Sequence, residues 1–70
     1  MEKMKSTILQ HIAQCNAQIA VCDDVYLQHR ELDYDCTILL HNRIILRDTV
    51  ARLEELTRLL TLIEELEQIV

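Results

Sequence analysis

The sequence has no glycine and no proline. Nothing in it breaks a helix, and no Gly-rich loop exists to cradle a nucleotide phosphate. Aromatic residues are nearly absent, with only Tyr26 and Tyr34. A core must be built from Leu, Ile, Val, Ala and Cys, which suits helix packing and gives a ligand little to stack on. Basic residues are scarce: seven Lys and Arg stand against twelve Asp and Glu, for a net charge of −5. That balance argues against nucleic acid and against an anionic membrane surface as partners. Long apolar runs are missing too. Thr37-Ile38-Leu39-Leu40 ends at His41-Asn42-Arg43, too short for a membrane span. Lys3 and Lys5 open the chain, but Gln10, His11, Gln14 and Asn16 interrupt the apolar residues after them, so no signal peptide is expected. The expected location is the cytoplasm, with the three cysteines reduced.

What is present is helical periodicity. Leucine recurs every seventh residue, at Leu32, Leu39, Leu46, Leu53 and Leu60. Leu56 and Ile63 come three residues after Leu53 and Leu60, and Val70 three after Glu67. Ile38, Ile45, Leu59 and Leu66 sit one residue before the sevenfold positions. Offsets of three, four and seven return to one side of a helix, so this is a broad apolar stripe on one long helix over about residues 36–69. At that length it would extend roughly 50 Å, and it needs a partner to be stable in water.

Upstream, Ile8, Ile12, Cys15, Ile19, Cys22 and Tyr26 alternate steps of four and three, flanked by Leu9, Ala13, Ala20 and Leu27. This heptad-like seam predicts a first helix over about residues 6–30, capped by Ser6 after a frayed Met1 to Lys5. Asp23-Asp24 is its weak point, and a break there would give three helices. Arg30 to Asp35 is polar, and Asp33 or Asp35 can cap the second helix. A connection over about residues 31–35 makes the neighbours antiparallel. The expectation is all-α: one domain spanning residues 1–70, folded as an antiparallel, coiled-coil-like helical hairpin.

The arms are unequal. Folding back near residue 33 sets Ile8 opposite about Arg58 and leaves residues 59–70 overhanging, with Leu59, Leu60, Leu62, Ile63, Leu66, Ile69 and Val70 unpartnered. Glu64, Glu65 and Glu67 crowd the negative pole of that helix, which is unfavourable unless the tip docks on something. Leu40, Ile44, Leu62 and Ile69 form a second, weaker apolar side opposite Leu53. Asp48 to Arg52 and Glu54 to Arg58 have the favourable i, i+4 order.

Chemistry-bearing constellations are weak. Cys15 and Cys22 stand two turns apart, roughly 10 Å, and a disulfide needs Cα atoms within about 7 Å. They read as small core residues; the alternative is a cross-chain disulfide or a thiol sensor. His11 and Cys15 could form one edge of a metal site, but His29, Cys36 and His41 supply no second matched pair. Asp33-Tyr34-Asp35 resembles the start of a calcium loop, yet the loop glycine is absent and Ile44 stands where the bidentate Glu belongs. No catalytic residue, metal, cofactor or small-molecule substrate is expected, and the chain does not read as an enzyme.

A short first helix, an acid-rich turn and a longer helix resemble the small co-chaperones of bacterial type III secretion. The matching stretch is Tyr34-Asp35-Cys36-Thr37-Ile38-Leu39, then Leu46-Arg47, Val50 and Leu53. The chain departs from the family at Arg47, where Glu is common, and in its longer second helix. The resemblance implies a cytoplasmic hairpin that pairs with a larger helical-repeat chaperone to hold a needle subunit monomeric. Only apolar contact positions carry over.

The expected function is protein binding through Leu39, Leu46, Leu53, Leu56, Leu59, Leu60, Ile63, Leu66 and Val70. The partner would be a heteromeric helical protein or a second copy. Two alternatives stand beside the co-chaperone role. One is a structural homodimer forming a four-helix bundle. The other is an acidic regulator of a DNA-binding or sigma-type protein, using Asp23, Asp24, Glu31, Asp33 and Asp35.

Overall fold

The computed structural model describes residues 2–30 and 36–69. It is an all-α helical hairpin. Helix α1 runs from Glu2 to His29 and helix α2 from Cys36 to Ile69. The expected turn, the capping residues Asp33 and Asp35, and Val70 lie outside the described residues. The molecule measures 57 × 14 × 12 Å, with a radius of gyration of 16.2 Å. A compact domain of this length would have a radius near 11 Å.

Two cross-helix contacts fix the direction. Asn42 Nδ2 donates to the Cys22 carbonyl at 2.9 Å, near the closed end. Lys5 Nζ lies 3.4 Å from Glu67 Oε1, at the open end. The start of α1 therefore lies beside the end of α2, as an antiparallel pair requires.

The seam has heptad spacing on both sides. In α1, Ile8, Cys15 and Cys22 are buried, and Lys5, Ile12, Ile19, Val25 and His29 are half-buried. In α2, Leu39, Asn42, Leu46, Thr49, Leu53, Leu56 and Leu60 are half-buried, and Ile63 is buried. Steps of three and four alternate along this second set without interruption, which keeps it facing one neighbour as in a coiled coil.

Several expectations are corrected. Helix α1 begins at Glu2, so Ser6 lies inside it and does not cap it. Glu2 sits favourably at the positive pole, Thr7 Oγ1 donates to the Lys3 carbonyl at 2.9 Å, and the Lys5–Glu67 pair tethers the first turn. The expected continuity of the helix holds through Asp23-Asp24, both of which point to solvent, where a short acid loses nothing by burial. Its last turn closes with the Arg30 amide donating to the Tyr26 carbonyl. The seam takes Val25 where the spacing predicts Tyr26, and Tyr26 is 53% exposed. The smaller side chain fits the narrow space between two helices, and the ring lies outside it.

The tip of α2 does not overhang. Ile63 is only 7% exposed, and Glu67 reaches Lys5. The extra turn at the start of α1, from Glu2 to Lys5, supplies the cover. The expected pairs Asp48–Arg52 and Glu54–Arg58 are also not formed: among the described residues the one ion pair is Lys5–Glu67. Exposed long side chains gain too little from such a contact to be held in it.

Candidate partner-binding surface

The nine expected contact residues separate into three groups. Leu39, Leu46, Leu53, Leu56, Leu60 and Ile63 face α1 and form the chain's own seam. Leu59 and Leu66 stand in solvent, Leu66 with 53% of its surface exposed. Val70 lies outside the described residues. Much of the stripe is thus used inside the hairpin, and Leu59 and Leu66 flank the seam in the same row as half-buried Ile45.

A different face is the outer side of α2, turned away from α1. Leu40, Ile44, Leu62 and Ile69 are all exposed there, Ile69 by 80%. Its ends are aliphatic except for His41 and Glu65, which are exposed on the same side. Its middle, Asp48, Ala51, Glu55 and Arg58, is polar or small, and every one of these is exposed. The four-and-three spacing of Ile44, Asp48, Ala51, Glu55, Arg58 and Leu62 keeps the surface straight along the helix.

Charge on α2 is polarised along the axis. Residues 36–52 carry Arg43, Arg47 and Arg52 against Asp48. Residues 53–69 carry Glu54, Glu55, Glu64, Glu65 and Glu67 against Arg58. The first turn holds no acid and the last turn no base. The side chains therefore add to the helix macrodipole where they would ordinarily oppose it.

Two open clefts flank the seam near its closed end. One, of about 730 Å³, is lined by Cys22, Tyr26, Leu39, Leu40, Arg43 and Leu46 among others. The other, of about 420 Å³, is lined by Val21, Val25, Ile38, His41 and Ile45 among others. Asn42 lines both, so the two clefts lie on either side of it. Both are mainly apolar and suit the side chains of another helix.

The polar groups have internal roles. His29 Nδ1 carries the hydrogen it donates to the Val25 carbonyl at 3.0 Å, since a carbonyl can only accept. Gln18 Nε2 approaches Cys22 Sγ at 3.9 Å. Cys15 and Cys22 are free thiols within the seam. His11 is exposed while Cys15 is buried, so they do not present one metal edge. Among the described residues no three His, Cys, Asp or Glu side chains are grouped to hold a metal ion, and no described helix is long and apolar enough to cross a membrane.

Asn42 is the seam residue that sequence reasoning passes over. The signal is there: counting three from Leu39 lands on Asn42, then Leu46 and Thr49, a polar residue at a core position. No family model, curated protein or solved structure matches this chain.

Proposed function

We propose that this hairpin is a non-enzymatic protein-binding module, and that its docking surface is the outer side of α2. One observation carries the reading. The chain exposes 5808 Å². A folded monomer of 8.2 kDa would expose about 4,500 Å². The excess of about 1,300 Å² is larger than the roughly 800 Å² each partner gives up in a standard interface.

In its most concrete heteromeric form the partner is the larger helical-repeat chaperone implied by the type III secretion resemblance. A shorter helix, a connection and a longer helix, in that order, support it. A cytoplasmic location belongs to the same proposal and is supported by the free thiols of Cys15 and Cys22. The acidic-regulator reading keeps Asp23 and Asp24 as exposed charge, while Glu31, Asp33 and Asp35 lie outside the described residues.

The test is a pair of substitutions on the proposed surface, Ile44→Asp and Leu62→Asp. Both should suppress association and raise solubility while helical circular dichroism is kept. Loss of helix in dilute solution, where the chain is alone, would show that this face belongs to the fold and would overturn the reading.

A further inference from the structure

We infer that the occupant of the outer face of α2 is a second copy of this chain, packed antiparallel along α2. This inference rests on the docking-surface reading above and names its partner.

The pattern on the face selects the direction. Place a twofold axis at the level of Leu53. Ile44 then meets Leu62 of the second copy, and one turn further out His41 meets Glu65. Asp48 meets Arg58, and Ala51 lies against Glu55, giving the two backbones room to approach. The apolar residues near the start of each α2 cover those near the end of the other. Among the described residues, Asp48 and Arg58 have no ion-pair partner within the chain. In this arrangement each gains one, twice over by symmetry.

Other arrangements fail on the same residues. A parallel pairing sets Asp48 on Asp48 and Arg58 on Arg58, and stacks Glu64 and Glu65 on themselves. Sliding the antiparallel pair by one heptad brings Asp48 to Glu65 in one direction and Ile44 to Glu55 in the other. Like charges placed together, or an acid set against an aliphatic, disfavour both.

The axial charge agrees independently. The Arg43, Arg47, Arg52 half of α2 lies along the Glu64, Glu65 half of its neighbour, and the two macrodipoles cancel. The hairpin already uses this logic internally, where Lys5 at the start of α1 pairs with Glu67 at the end of α2. The product is a flat array in the order α1, α2, α2, α1, distinct from a square four-helix bundle.

Sedimentation of the purified full chain tests this. Wild type should sediment as a dimer at micromolar concentration. Ile44→Asp and Leu62→Asp should each weaken dimerisation by about a hundredfold or more while the helix signal is kept. Asp48→Arg and Arg58→Asp should each weaken it by about tenfold, and the double exchange should restore it. A wild-type monomer with intact helix would overturn the self-pairing and leave the docking-surface reading in place for a different partner. A dimer indifferent to Ile44→Asp and Leu62→Asp would overturn both. A dimer lost in those variants, but with no rescue by the double exchange, would overturn the antiparallel register.

Discussion

The side-chain amide of Asn42 donates to the main-chain carbonyl of Cys22 across the seam, at 2.9 Å. A helical carbonyl has a second lone pair, so this bond adds to the ladder of α1 without disturbing it. It also favours this axial position of α2 on α1, because a slide along the seam breaks the bond. Leu and Ile carry no such directional bond, so a slide of one turn costs them less. A single polar residue at a core position of a coiled coil sets register in the same manner.

Asn42→Ala should therefore destabilise the hairpin by about 1 kcal/mol, the usual worth of such a bond. For a chain of this size that is about 4–8 °C in the thermal midpoint. Asn42→Leu should recover the midpoint but broaden amide resonances along α2 as neighbouring registers become populated. An unchanged midpoint for the alanine variant would remove the bond from any role in stability.

Ile63 and Leu66 separate the two ways of folding the tip. Ile63 is buried and Leu66 is half in water. Ile63→Ser should lower stability by about 1.5–3 kcal/mol, the worth of a fully buried aliphatic. Leu66→Ser should stay within about 0.5 kcal/mol, as exposed substitutions do. Equal, negligible effects from both in urea melts would restore the overhanging tip.

Leu53→Asp should abolish the fold. Leu53 sits mid-seam between Thr49 and Leu56, and a carboxylate there faces α1 with no base to meet it. Far-ultraviolet circular dichroism should fall toward an unfolded chain. A helix signal and midpoint equal to wild type would take Leu53 out of the core.

Cys15 and Cys22 should be protected thiols. In a Cys36→Ser background they are the only two in the chain. Their modification by a thiol reagent should track the rate of unfolding, and reductant should leave the midpoint unchanged. Fast labelling in native buffer, or a reductant-sensitive midpoint, would contradict the burial of Cys22, which is 1% exposed.

The leucine series shows what periodicity can reveal. Leu39, Leu46, Leu53 and Leu60 repeat at seven because they face one neighbour throughout, and the all-α hairpin is a consequence of that. The alternate seam positions are harder to read, because Asn42 and Thr49 are polar and hydropathy alone assigns them to solvent. The start of α1 is hidden for a tertiary reason. Lys5 reaches Glu67, more than sixty residues along the chain, and no local pattern announces that contact. The stripe also overstates the docking surface. Sequence spacing identifies apolar residues but does not say which of two apolar sides the hairpin consumes. Leu62 and Ile69, exposed opposite Leu53, mark the free side, while Leu60 and Ile63 turn inward.

Four threonines turn their hydroxyls back onto their own helices. Besides Thr7, Thr49 donates to the Ile45 carbonyl, Thr57 to Leu53 and Thr61 to Thr57, at 2.7–3.0 Å. Each hydroxyl hydrogen is thereby occupied, and what remains on the surface is a methyl group beside a bare lone pair. Thr57 and Thr61 are one turn apart, so they present two such oxygens in a row on α2. While these bonds are kept, the edge offers an approaching molecule two methyl groups and two acceptors. A side chain that brings its own donor, such as Lys, Arg, Asn or Gln, can bond both oxygens and leave the helix-facing bonds of the two threonines in place.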